Sequence, residues 1–74
     1  MIKTAKITAA LVNYANVYRT LVMSWEVKPY NVDVAIEHAV ADIYNMVKNM
    51  KENEAVAVIN DDALYIQEKM AVAA

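Results

Sequence analysis

The chain has no cysteine and a single histidine among its 74 residues. Without cysteine it can form neither a disulfide nor a thiolate metal site, and one histidine excludes a zinc site built from several histidines of one chain. A chain this short buries only about 60% of the surface that its unfolded form exposes, so small domains often depend on a disulfide, a metal or another subunit. Association with another protein or with a second copy is the remaining means of added stability.

Glycine is absent as well. Tight β-hairpin turns and many helix C-termini need a residue at positive φ, which glycine adopts at the lowest steric cost. Asparagine can take the same conformation, so the absence is a bias and not a proof. It favours helices joined by ordinary loops over β-hairpins.

Long apolar runs and basic clusters are also missing. No stretch approaches the roughly 18 consecutive apolar residues that indicate a transmembrane helix. The seven basic residues are scattered among nine acidic ones, whereas nucleic-acid binding needs clustered cations that displace counterions from phosphate. Lys3 and Lys6 precede a short apolar segment, as in a secretion signal, but Asn13 interrupts it early. We therefore expect a cytoplasmic protein that binds neither membranes nor nucleic acid.

Apolar side chains are present in excess. They make up 59% of the chain, compared with roughly 45–50% in ordinary globular domains. Two interpretations remain open, because a short chain has little interior. The surplus either fills a core that is rich in alanine, or forms an exposed patch that another protein covers.

The first periodic segment predicts a helix over residues 6–26. Its apolar residues recur at alternating spacings of four and three, which is typical of one stripe along a helix: Ile7, Leu11, Tyr14, Tyr18, Leu21 and Trp25. The alternation within residues 17–28 is also compatible with a strand. A β-hairpin over the first 28 residues is therefore the alternative.

The central segment predicts a second helix over residues 32–51, after a loop at 27–31. Pro29 restricts the residue before it to extended conformations and ends the first helix, and Asn31 is a suitable N-cap. We expect the second helix to pack against the first and to form the core. The residues that we expect to be buried there are Ile36, Ile43 and Val47 of the second helix against Leu11, Tyr18 and Leu21 of the first.

The C-terminal third is less clear. Residues 54–60 are ambiguous between a short strand and a helical turn, and Asn60, Asp61 and Asp62 predict the cap of a last helix over residues 62–72. The prediction is thus one all-α domain of residues 1–74, an antiparallel helical hairpin plus a shorter third helix. The alternative is an α+β fold with a β-hairpin, the central helix and a further strand at 54–60.

Catalytic equipment is sparse. His38 and Asp42 are four residues apart, so a helix makes them neighbours, and such a pair can orient an imidazole for general base catalysis. No nucleophile signature or glycine-rich phosphate loop accompanies them, and a solvated helix face explains them equally well. We predict no enzyme activity, no cofactor and no metal, with a composite active site between subunits as the enzymatic alternative.

The aromatic residues are five tyrosines and one tryptophan. Such side chains combine apolar area with a polar tip and suit partly wet interfaces, although they also occur at core edges. The residues that we predict for a contact surface are Trp25, Tyr30, Met23, Tyr14 and Tyr18.

These observations favour a small non-enzymatic protein-binding module, such as an inhibitor or adaptor of a larger enzyme or complex. Small acidic proteins that inhibit nucleic-acid enzymes, viral inhibitors of host defence among them, have a similar composition, and the likeness goes no further. The alternative function is a self-assembling homo-oligomer with a structural or ligand-sequestering role.

The helical prediction has a direct spectroscopic test. Far-UV circular dichroism should show helix over more than half of the chain, because both long segments follow a helical period. A spectrum dominated by strand, or helix confined to about 20 residues, would favour the hairpin alternative instead.

Overall fold

The protein contains three α-helices in a computed structural model that describes residues 4–24 and 31–73. They are α1 (Ala5–Met23), α2 (Val32–Val47) and α3 (Glu52–Ala73). The helices pack against one another, and no strand occurs within the described ranges. The all-α prediction is therefore confirmed, and the α+β alternative is wrong, since residues 5–23 and 54–60 are helical.

Side-chain caps define the start of α1 and of α2. The Thr4 hydroxyl accepts a hydrogen bond from the Ile7 N–H at 3.3 Å, and the Asn31 side-chain oxygen accepts one from the Val34 N–H at 3.1 Å. Each cap satisfies a backbone donor that has no partner within the helix. The Asn31 cap agrees with the sequence prediction, whereas the predicted loop around Pro29 lies outside the described residues.

The second helix ends earlier than predicted, at Val47 instead of residue 51. The Met50 N–H donates to the Val47 carbonyl at 2.9 Å, which closes a turn, and the Ala55 N–H donates to the Lys51 carbonyl at 2.9 Å, which opens α3. Glu52 and Glu54 in the first turn of α3 suit the positive end of its dipole. The connection between α2 and α3 is therefore only a few residues long.

The third helix differs most from expectation. It is the longest of the three, with 22 residues, and it includes the ambiguous segment 54–60. Asn60, Asp61 and Asp62 lie within it and do not cap it. Burial of Ile59 and Ala63 in one stripe outweighs the local preference of these polar residues for a helix start.

The helices alternate in direction. The ion pair between Arg19 and Asp33, at 3.1 Å, joins the end of α1 to the start of α2, so these helices are antiparallel. Tyr14, in the middle of α1, interacts with Asp62 in the middle of α3. Near the start of both helices, Ala9 of α1 and Val56 of α3 line the same depression. Helix α3 is therefore parallel to α1 and antiparallel to α2.

The core lies where the three helices meet, and α3 packs more extensively on α1 than on α2. Ile36, Ile43 and Val47 are buried as predicted, while Tyr18 and Leu21 are only half-buried. The continuous core consists of Ile7, Ala10, Leu11, Tyr14, Val17, Ile43, Val47, Ala55, Ile59 and Ala63.

Truncation of Ile43 to alanine should destabilise the fold strongly. Its side chain is 3% exposed, and loss of a buried isoleucine side chain costs about 2–5 kcal/mol because it leaves a cavity. Met46→Ala is the matched control, three residues away on the same helix but 66% exposed. Urea unfolding should show a large loss for Ile43→Ala and a change within about 0.5 kcal/mol for Met46→Ala; similar losses would mean that the described packing of α2 is incorrect.

Candidate protein-contact groove

A shallow depression of about 350 Å³ lies between α2 and α3. We call it the α2–α3 groove, and it is lined by Ile43, Met46, Val58, Asp61, Asp62 and Tyr65. Pockets for a small molecule or cofactor measure about 300–1,000 Å³ and usually bury most of the ligand surface. The groove is at the lower end of that range and open to solvent, so it is better suited to side chains of another protein.

The position of the groove follows from helical geometry. Val58, Asp62 and Tyr65 are spaced by four and three residues, so they form a stripe along the edge of α3 that faces α2. Met46 follows the buried Ile43 by three residues and projects from the facing edge of α2. Because α3 packs mainly on α1, these two edges are left partly uncovered.

Two large apolar side chains of the groove are exposed to solvent. Met46 is 66% exposed and Tyr65 is 56% exposed. The ammonium group of Lys69, one helical turn after Tyr65, lies 5.3 Å from the centre of the tyrosine ring, within the range of a cation–π interaction. The exposed surface of the groove thus combines a flexible thioether with an aromatic ring.

A polar interaction links the groove to the core. Tyr14 interacts with the carboxylate of Asp62, while the Tyr14 ring lies against Tyr18 at a centroid distance of 6.2 Å. Burial of the phenol raises the pKa of Tyr14 above its ordinary value, and the hydrogen bond to Asp62 and the nearby charge of Asp42 raise it further. The raised pKa keeps the Tyr14 phenol neutral beside one carboxylate of the groove.

The predicted contact residues have different locations. Tyr14 is only 6% exposed and belongs to the core, because its position on α1 faces α3; this corrects its assignment to a contact surface. Tyr18 is half-buried against the core, and Met23 is exposed at the end of α1. Trp25 and Tyr30 lie outside the described residues, so their assignment stays a prediction.

Sequence reasoning missed both exposed residues of the groove. Met46 follows Ile43 by three residues in the helix predicted over residues 32–51, and periodicity alone treats such a residue as core. Tyr65 belongs to the last predicted helix, whose apolar residues do not separate into one face, since Leu64, Tyr65 and Ile66 are consecutive. The four-three spacing of Val58, Asp62 and Tyr65 was the available signal, but it is visible only when residues 54–60 are known to be helical.

Other surfaces offer less chemistry. A depression between α1 and α2 is lined by Leu11, Ile36, Glu37, Val40, Ala41 and Tyr44, and its larger apolar side chains are buried or half-buried. His38 and Asp42 lie on the exposed surface of α2. Among the described residues, no group of three or more histidine, aspartate or glutamate side chains is arranged to hold a metal ion.

Comparisons with protein-family models, with curated proteins and with solved structures found no significant match to this chain. Within the described parts of the chain, every helix is too short or too polar to cross a lipid bilayer. Any functional assignment therefore depends on the surface of the described residues, where the α2–α3 groove exposes two large apolar side chains.

Replacement of Tyr14 by phenylalanine should cost about 1 kcal/mol at neutral pH, since it removes a hydrogen bond to a half-exposed carboxylate. The folded state has a raised Tyr14 pKa, so the unfolded chain loses this proton first as the pH rises. The wild type should therefore lose stability above about pH 10, by up to about 1.4 kcal/mol per pH unit from this group. Urea unfolding at neutral and alkaline pH would measure both effects.

The partner of Tyr14 can be verified with a double-mutant cycle. Tyr14→Phe and Asp62→Ala should be non-additive, because either change alone removes the same hydrogen bond. Full additivity, or an alkaline loss that persists unchanged in Tyr14→Phe, would show that the hydroxyl has no such interaction.

Proposed function

We propose that this protein is a small non-enzymatic module that binds another protein through the α2–α3 groove. The observation that supports the proposal is the exposure of Met46 and Tyr65 on one concave surface. In this role it acts as an inhibitor or adaptor of a larger enzyme or complex in the cytoplasm. The module works by covering a surface of its partner and needs no bond-making residue of its own.

The pairing of these side chains is what makes the groove different from ordinary surface. Single exposed apolar residues are common on soluble proteins and need no explanation. Contiguous exposed apolar residues are rarer and mark places that another molecule covers. Methionine adapts its shape to a partner, and tyrosine provides a rigid apolar contact with a polar tip. Together with Val58 they form an apolar strip bordered by carboxylates.

Other exposed apolar residues provide a comparison on the same molecule. Val12 is 56% exposed and Leu64 is 53% exposed, close to the values for the groove residues. Neither lines the α2–α3 groove. Leu64 is next to Tyr65 in sequence, but a helix places it about 100° further around the axis. These residues are therefore matched controls for the effect of location.

The proposal predicts that Met46→Ala and Tyr65→Ala each weaken partner binding by about tenfold or more, as expected for interface hot spots. The partner would first be isolated from the source cells with the tagged protein and then purified. Isothermal titration calorimetry of the purified pair would give the affinities. Circular dichroism would establish that each variant is folded.

Val12→Ala and Leu64→Ala should bind the partner as tightly as the wild type, within about threefold. If the two groove variants also bind normally, the groove is not the contact surface and the proposal is wrong. Light scattering on the isolated protein identifies the alternative function: a stable oligomer that Met46→Ala dissociates would replace the adaptor or inhibitor by a self-assembling protein.

A further inference from the structure

The chemistry of the groove indicates what kind of partner it accepts, an inference that rests on the function proposed above. We propose that the groove binds a cationic amphipathic segment of another protein. An aliphatic side chain of that segment contacts Met46 and Tyr65, and its flanking lysine or arginine residues pair with Asp42 and Asp61. The occupant is therefore a basic helix and not an acidic or purely apolar one.

Carboxylates lie beside the apolar strip. Asp61 and Asp62 line the groove. Asp42 of α2 lies nearby, since its charge and that of Asp62 both act on the Tyr14 hydroxyl. Helix α3 as a whole contains five acidic residues and one lysine. The negative potential of this surface attracts cations and steers a positively charged partner towards the groove.

These carboxylates are not neutralised by cations of the same chain. Within residues 4–24 and 31–73, the ion pair formed is that of Arg19 with Asp33, at the far end of α2. Asp42 and Asp61 are exposed, so they can pair with incoming cations without first breaking an internal salt bridge. An apolar strip bordered by unpaired charges of one sign is complementary to an amphipathic segment of the opposite sign.

Lys69 is the local exception, and it makes the inference sharper. Its ammonium group lies over the Tyr65 ring, where it repels another cation that approaches the groove. Removal of this charge should therefore strengthen the binding of a basic segment, while removal of the Asp61 charge should weaken it. A variant that only damaged the fold would weaken binding. Stronger binding without the Lys69 charge and weaker binding without the Asp61 charge therefore cannot both come from structural damage.

A second copy of the chain is a poor occupant of the same groove. In a symmetric dimer the same patch is present on both subunits, so Asp42 and Asp61 of one copy would face the acidic border of the other. Like charges that meet in an interface are unfavourable and suppress that pairing. Helical partners, by contrast, commonly place an apolar stripe in a groove between two helices.

Three labelled amphipathic peptides of equal length would test the inference. They share one leucine stripe and differ only in the flanking residues, which are lysine, glutamine or glutamate. Fluorescence anisotropy with the 74-residue chain should give the tightest binding for the lysine peptide, by about fivefold or more over the glutamine peptide. The advantage should shrink at high salt, because ions screen exposed charges.

Variants then show whether the charges of the groove are responsible. Asp61→Asn should weaken binding of the lysine peptide by about threefold or more, and Lys69→Gln should strengthen it. Glu37→Gln is the matched control, since Glu37 is exposed and lines the depression between α1 and α2 instead of the groove. Met46→Ala should weaken the binding of every peptide that binds the wild type, because all of them share the leucine stripe.

Several outcomes would overturn the inference. They are equal affinity for the lysine and glutamine peptides, no binding of any peptide, or an equal effect of Asp61→Asn and Glu37→Gln. Each of these leaves the proposed function intact as long as Met46→Ala and Tyr65→Ala weaken binding of the natural partner. If those two variants bind the natural partner normally, the proposed function itself fails, whatever the peptides do.

Discussion

The packing of α3 on α1 is the interaction on which the rest of the structure depends. Ala55, Ile59 and Ala63 form a buried stripe with a spacing of four residues, and alanine side chains allow two helix axes to approach closely. Ala10 on α1 contributes another small residue to the same core. This contact aligns α3 along α1 and sets the rotation of α3 about its own axis.

That rotation decides which side chains reach the surface. With the alanine and isoleucine stripe turned towards α1, the neighbouring stripe of Val58, Asp62 and Tyr65 lies along the edge that faces α2. Helix α2 contacts α3 less extensively than α1 does, so this edge is only partly covered. The α2–α3 groove is a consequence of unequal packing among three helices. Because α3 packs closely on α1, the apolar residues on its edge towards α2 stay partly exposed.

The link between Tyr14 and Asp62 provides the core with a polar element. Apolar side chains pack in many registers, whereas a buried hydroxyl must find its acceptor. The interaction of Tyr14 with Asp62 is made in the register that also buries Ile59 and Ala63. It also keeps one carboxylate at the border of the groove, so a residue of the core contributes to the charge of the surface.

The apolar excess has two destinations, as the two interpretations of the composition allowed. Much of it fills a core that is rich in alanine, valine and isoleucine. The remainder is exposed, and Met46 and Tyr65 share one groove while Val12 and Leu64 lie elsewhere. Composition can measure the surplus but cannot locate it, since exposure depends on which helix covers which face.

Local chemistry in the sequence determined the helical class, the Asn31 cap and the buried face of α2, because hydrophobic period, capping and the absence of glycine act over a few residues. The length of α3 was decided by tertiary packing, since burial of Ile59 and Ala63 against another helix overrides the turn preference of Asn60, Asp61 and Asp62. The location of Tyr14 in the core and of Met46 at the surface was decided in the same way. Both belong to apolar stripes of the same period, and only the arrangement of three helices determines which part of a stripe is covered.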